Sequence, residues 1–338
     1  STFVPANAEF VLEGVVRQGE RRSEGPFGDH FGHYSHKAPF PVFRLKKITH
    51  RRNPVYPATV VGIPPMEDKF LGDATQRILG PLVRLLHKEV KDVWAYYEAG
   101  FHNLLVASVE ERYHKEAMKA ALGLLGTGQL SLTKCMILVS EDVDPGDWKA
   151  VLRAIGENFD PHFDFVLLPK VLLDTLDFTS FTMELGSKMI VDATRKQRSK
   201  PQRKRVPPEA RQLRSLDRRI TDSRVVEDVL LLVKVRKDGR AVVEKLLKNR
   251  ALQQMKMIAV VSDDVEIDNQ ENYIWGVFTR FDCERDVLFS DQRMIGISPV
   301  YNGVMGVDAT WKRGYPNPLV MDADVVKTVD RRWIEYWK

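Results

Sequence analysis

The sequence predicts an α/β protein in which a short β region precedes two related α/β units joined by a basic linker. Three observations carry this. Apolar residues alternate between strand-like and helical spacing along most of the chain. A block of the first half recurs in the second. Between them, Arg195 to Arg224 holds twelve Lys or Arg against three acidic residues.

In chain order, residues 1–64 carry short apolar runs at Phe10–Val16, Phe40–Ile48 and Tyr56–Val61, broken by turn residues such as Gly25, Pro26 and Gly28. Runs at such spacing read as part of a sheet or barrel. From Glu67 to Leu86 the period becomes helical, with Leu71, Ala74, Ile78, Leu82 and Leu85 on one face. Strands at Val93–Tyr97, Leu104–Val109, Cys135–Val139 and Phe165–Leu168 then alternate with a helix at Lys115–Leu124 and one presenting Trp148, Val151, Leu152 and Ile155. Lys134–Val143 recurs as Lys256–Val265 at an offset of 122, and Asp160 and Asp164 match Asp282 and Asp286 at the same offset. An Asn-Phe-Asp in the first copy is answered by an Arg-Phe-Asp in the second, and the copies close on Lys188–Thr194 and Val304–Thr310. Two copies so far apart imply two homologous units, at 65–196 and 225–338, rather than a solenoid. The intervening 197–224 contains Pro201, Pro207 and Pro208 and no aromatic residue, so it reads as a solvated tether, and no nucleic-acid partner is expected.

With 338 residues, 43% hydrophobic and 29% charged, the chain can bury a sizeable core. No apolar run approaches the roughly 18 residues of a membrane span, and no signal-peptide profile opens the chain. Cys135 and Cys283 form no CxxC pair, so neither a disulfide framework nor a cysteine zinc site is predicted, and a reducing, cytoplasmic setting fits. The strand-like Ala8–Leu12 near the start has no preceding partner, which predicts further sequence upstream.

The sharpest chemical signal is Glu24-Gly-Pro-Phe-Gly-Asp29-His30-Phe-Gly-His33. Two carboxylates flank a Gly-Pro/Gly turn. Facing one pocket, they would repel each other and leave one protonated near neutral pH, an acid able to deliver a proton to carbon. The competing account is a turn whose acids only bond their own amides. His30, His33 and His36 beside Asp29 raise a histidine-metal hydrolase as an alternative, although this loop spacing is not a rigid helical pair. The strand-end acids Glu141, Asp142 and Asp144, matched by Asp263, Asp264 and Glu266, read as caps of the following helices or as Mg2+ ligands. Gly123, Gly126 and Gly128 follow a helix and precede a strand, the reverse of a dinucleotide-binding loop.

Val4–Gly14, Glu24–His30, Ile48–Arg52, Gly62–Asp68, Gln129–Lys134 and Gly186–Thr194, taken in order, resemble the UbiD decarboxylase family. The basic linker and second unit are similar to its long-form members associated with menaquinone synthesis. The resemblance implies that residues 1–64 are the C-terminal part of a split β-barrel binding prenylated FMN, with 65–196 as the family's C-terminal domain. It implies non-oxidative decarboxylation of an aromatic or α,β-unsaturated acid, in the setting of quinone (menaquinone or ubiquinone) biosynthesis. Glu24 and Asp29 would then be the two catalytic acids, Asp29 delivering the proton and Glu24 pairing with an arginine upstream. Phe101, His102, Leu176 and Phe178 match pocket-lining stretches, although Tyr96–Gly100 departs from the family's proline-containing pattern. Most flavin contacts, the ligands of a Mn2+ that grips the flavin phosphate, and any K+ site would lie upstream, leaving this chain inactive alone. The implied partners are a carboxylic acid substrate, a flavin prenyltransferase as cofactor supplier, and further copies of the chain in a homodimer or higher homo-oligomer. Against this stands a noncatalytic assembly or binding module.

Overall fold

The structure, a computed structural model, describes residues 3–196 and 210–337. It opens with a long antiparallel hairpin, β1 (Phe10–Glu24) and β2 (Ala38–His50), registered from Phe10 opposite His50 to Glu24 opposite Ala38. The run Tyr56–Val61 forms no strand, contrary to expectation. Pro57 lacks the N–H that a ladder needs.

Helix α1 (Asp68–Leu86) leads into a five-stranded sheet made of β3 (Val90–Ala95), β4 (Leu104–Val109), β5 (Cys135–Ser140), β6 (Phe165–Leu172) and β7 (Leu185–Ala193). Helices α2 (Glu116–Leu124), α3 (Trp148–Asn158) and α4 (Pro161–Asp164) connect them. The helix α5 (Ala210–Leu216) precedes a second five-stranded sheet: β8 (Ile220–Val226), β9 (Leu230–Val235), β10 (Met257–Ser262), β11 (Val287–Ile295) and β12 (Ser298–Ala309), with α6 (Gly239–Leu247), α7 (Gln270–Phe278) and α8 (Cys283–Asp286). The helix α9 (Ala323–Arg332) follows.

The strand orders are β3-β4-β5-β7-β6 and β8-β9-β10-β12-β11, the same topology twice, parallel in the centre and antiparallel at both edges. The predicted linker ends short: 197–209 lies outside the described residues, but α5 and β8 occupy positions read as tether. Ile220 and Leu213 are buried in the second unit's core, so a local excess of charge hid a helix and an edge strand.

Matched residues build matched details. Asp160 and Asp282 each cap a four-residue helix, accepting from His162 N and Arg285 N, while Asp164 and Asp286 accept in return from the amides of Asp160 and Asp282, at 3.1 and 2.9 Å. These are reciprocal capping pairs, a structural use of the repeated acids. The strand-end acids cap neither following helix. Asp147 and Asn269, a few residues further on, do so, and Asp142 and Asp264 instead pair with Arg195 and Arg280.

The two sheets share one core. Trp148, Ile155 and Met189 of the first unit lie in a single buried cluster with Tyr273, Ile274, Phe278 and Val307 of the second, and the Trp148 and Phe278 rings meet edge-on at 5.8 Å. The contact is reciprocal at the repeat offset. Lys134 Nζ donates to the carbonyl of Phe281 at 3.0 Å, and Lys256 Nζ donates to that of Phe159 at 2.7 Å. The Cys135 and Cys283 thiols are free and 4.0 Å apart in the same seam.

Not all apolar faces are covered. None of α1 is buried, and Leu71, Ile78, Leu82 and Leu85 are all more than half exposed, so the predicted stripe is real but finds no cover among the described residues. Val325 and Trp333 at the C-terminal end are likewise exposed. Among the described residues no helix is long and apolar enough to cross a membrane.

Because the core is shared, Trp148→Ala is expected to cost about 3–5 kcal/mol and to lower the midpoint of a single urea transition. Two separate transitions, one per sheet, would contradict a shared core.

Candidate active site

The loop between β1 and β2 carries the sequence-predicted acids, and its shape follows from its glycines and its neighbours. Gly25 has φ +92° and Gly32 φ +76°, backbone that L side chains rarely adopt. A Cβ on Gly32 would stand 2.7 Å from Trp275 Nε1. Inside the loop, Gly32 N donates to Asp29 O at 3.1 Å, Asp29 N to His33 O at 3.2 Å and Ser35 N to Phe27 O at 2.7 Å.

Both units grip this loop. From the second, Trp275 Nε1 donates to Phe31 O at 2.9 Å, and Arg280 Nε approaches His33 Nε2 at 3.3 Å while lying 4.4 Å over the Trp275 ring. Arg280 is fully buried and fork-bonded to Asp264 at 2.8 and 2.7 Å. Leu319 N donates to Gly32 O at 2.9 Å. From the first, Gly100 leaves room for the Phe31 ring, 3.0 Å from where its Cβ would be. Arginine can only donate, so His33 Nε2 is the acceptor and Nδ1 carries the proton shared with Phe31 O at 3.1 Å. Burial, reinforced by Arg280, lowers His33 to about 3 and keeps it neutral. His33 is therefore a wedge in the fold. Among the described residues no three His, Cys, Asp or Glu side chains gather to hold a metal ion.

Asp29 is 6% exposed, and its Oδ1 accepts from Phe31 N at 2.7 Å. Burial pushes its carboxyl up to about 7 and the nearby Asp174 charge adds to this, partly offset by the Phe31 amide. A protonated acid at neutral pH was expected here, but with Glu24 as the repelling neighbour. The neighbour is Asp174, which is hydrogen-bonded to His102 Nδ1 and accepts Leu176 N at 2.8 Å. His102 holds Asp174 below the usual carboxylate range despite its burial. His30 lies 6.4 Å from His102, ring centre to ring centre, and burial lowers it.

Glu24 ends β1 at the rim of a separate cavity of about 130 Å³. Phe27, Tyr34, Phe40, Leu176, Phe178 and Met183 supply most of its wall. The structure thus joins Glu24 with Leu176 and Phe178, and His30, beside Asp29, with His102. Phe101 stands apart, its ring where a Cβ on Gly72 of α1 would be. Asp174, Trp275 and Arg280 were missed. Asp174 has no sequence signal of its own. Arg280 had one: it replaces Asn158 of the first copy at the repeat offset.

Comparison with known proteins decides the family. Residues 69–193 and 214–309 match the 3-octaprenyl-4-hydroxybenzoate carboxy-lyase C-terminal domain, and residues 1–64 match the Rift-related domain of the same enzyme. The chain belongs to the UbiD family. Among UbiD relatives, a Chlamydia pneumoniae protein named as one subunit of a 4-hydroxybenzoate decarboxylase is 33% identical over 98% of this chain and 56% of its own length. An uncharacterized Archaeoglobus fulgidus protein is 48% identical over 58% of this chain and 41% of its own length. The closed form of Sedimentibacter hydroxybenzoicus vanillic acid decarboxylase superposes with a TM-score of 0.54 at 30% identity, covering 61% of this chain and 44% of that one. The chain spans about half the length of the curated relatives it matches.

Asp29 and His33 move stability in opposite senses. Asp29 binds its proton more tightly folded than unfolded, so its contribution falls as pH rises from about 4 to about 7. His33 binds its proton less tightly folded, so its contribution rises with pH from about 3 to about 6.5. The stability of Asp29→Asn minus that of the wild type cancels His33. From urea midpoints, this difference is expected to grow between pH about 4 and about 7 and to level off above. Separately, Trp275→Phe removes the donor to the buried Phe31 carbonyl and is expected to cost about 1–3 kcal/mol.

Proposed function

We propose that this chain carries the acid side of the active site of a decarboxylase acting on an aromatic or α,β-unsaturated carboxylic acid, with Asp29 delivering the proton. The observation that carries the reading is Asp29 itself, a buried carboxyl raised to about 7 so that it still holds a proton part of the time near neutral pH, in the region that matches the UbiD Rift-related domain. The names of the relatives, one from a hydroxybenzoate decarboxylase and one a vanillic acid decarboxylase, support the substrate class.

Losing CO2 from an sp2 carbon leaves charge that no side chain can delocalise, and prenylated FMN would supply the electron sink. The residues present fit one edge of such a site. The largely aromatic and apolar wall beside Glu24 suits a planar ring, and the Glu24 carboxylate suits an arginine. In this reading Leu176 and Phe178 hold the substrate and exclude water, and Asp29 gives its proton to the carbon that lost CO2. The carboxylate left behind is met by the Phe31 N–H. Glu24 orients an arginine from elsewhere in the enzyme, and Phe101 supports the site through α1 rather than lining it.

The same reading extends to the architecture. The β1–β2 hairpin is the end of a split β-barrel, and the two sheets, alike in topology and reciprocal in their lysine contacts, are duplicated units, at 65–196 and from α5 onward. The remaining flavin contacts and the sites for Mn2+ and K+ lie on sequence outside this chain. A flavin prenyltransferase supplies the cofactor, the exposed face of α1 is covered in a longer protein or homo-oligomer, and the product serves quinone biosynthesis.

The test is a protein of the relatives' full length, co-produced with a flavin prenyltransferase and assayed for CO2 release and for flavin absorbance. Asp29→Asn is expected to bind flavin and lose decarboxylation by about 10²–10⁴-fold. The present 338 residues alone should release no CO2. Full activity in Asp29→Asn would overturn the reading.

A further inference from the structure

Phe178, in the wall of the Glu24 cavity, packs against a ring from the far end of the chain. We propose that Tyr315, in the stretch that follows β12, is a positioning residue of this site: its ring seats Phe178 in the cavity wall and so sets which ring substituents the cavity admits. This rests on the reading of that cavity as the place of the aromatic acid and deepens it by naming what fixes its size.

Tyr315 is 4% exposed and is not itself part of the cavity wall. Its ring meets that of Phe178 edge-on at 4.9 Å, centre to centre, and lies 5.1 Å from that of Phe181. The hydroxyl donates to Thr179 O at 3.2 Å, a carbonyl that also accepts from the Arg285 guanidinium. Arg285 in turn lies 4.8 Å over the Phe181 ring. Phe178 also meets the His33 ring at 4.9 Å, and His33 is stacked on Trp275 at 5.2 Å. Both rings that touch Phe178 are thus held from the second sheet's side of the molecule.

The stretch that carries Tyr315 reaches a second part of the wall. Tyr34, which also lines the cavity, donates its N–H to Asn317 O at 3.0 Å, and Leu319 N donates to Gly32 O. Gly314, at φ +100°, makes the turn that leads there, and a Cβ on it would stand 3.2 Å from the Phe181 ring. One strap, residues 312–319, therefore ties together the two loops that build the cavity. At about 130 Å³ the cavity is small against the roughly 300–1,000 Å³ of most small-molecule sites, so a shift of one wall ring decides what fits. Deleting a buried ring leaves space that its surroundings fill only in part, and here the neighbour free to lean into that space is Phe178.

The test uses a protein of the relatives' full length, co-produced with a flavin prenyltransferase and titrated in a calorimeter with benzenesulfonate and with its meta-methoxy derivative. Both resemble aromatic acids but cannot lose CO2, and the readout is the ratio of their dissociation constants. Tyr315→Leu is expected to move that ratio by about tenfold in favour of the methoxy probe. Tyr315→Phe, which keeps the ring, should leave it at the wild-type value. A variant that is merely less folded loses both probes in proportion, so its ratio does not move. If Tyr315→Leu shows no urea transition, Tyr315→Met, also without a ring, carries the test. An unchanged ratio in the ringless variant would overturn the proposal, and so would an equal shift in Tyr315→Phe. If the wild type binds neither probe, it is the reading of the cavity that fails, and the role of Tyr315 with it.

Discussion

The constraint on which the structure depends is the burial of one face of each five-stranded sheet against the other. Neither set of helices closes this seam alone: α3 and α7 enter it from opposite units, and Trp148, Tyr273 and Phe278 fill it. The lysines that cross it satisfy carbonyls at the ends of helices in the other unit, each contact the counterpart of the other at the repeat offset. A buried ammonium without such acceptors would be strongly unfavourable, so these bonds fix how one sheet sits on the other as well as that it does.

The active-site loop inherits its position from this seam. It belongs to the hairpin, whose strands are largely exposed, yet Phe31 and His33 are buried because Trp275 and Arg280 come to them from α7 and the turn after it. The second sheet, which carries no copy of the acidic turn, therefore holds the hairpin's loop in place. Arg280, which stands where the first sheet's unit has Asn158 at the repeat offset, supplies that grip.

Asp29 shows how burial and one charge decide the state of an acid. Desolvation is the larger cause of its raised value, and the carboxylate that adds to it comes from a loop 145 residues further along the chain. Glu24, five residues away, lines the cavity of Phe27, Tyr34, Phe40, Leu176 and Phe178, which Asp29 does not line.

What the sequence by itself determined is local and periodic: most strands and helices of both sheets, and the repeat that pairs Asp160 and Asp164 with Asp282 and Asp286. These follow from spacing, from turn residues and from short motifs, all written in adjacent positions. The hairpin's true length was hidden by polar strands, α5 and β8 by a run of charge, and the absence of a strand at Tyr56–Val61 by its alternation. Only the tertiary structure decided which acid's charge acts on Asp29, that His33 is a wedge, and that Trp275 and Arg280 hold the loop. Those facts depend on residues brought together from distant parts of the chain, and spacing along a sequence carries no record of distance through the core.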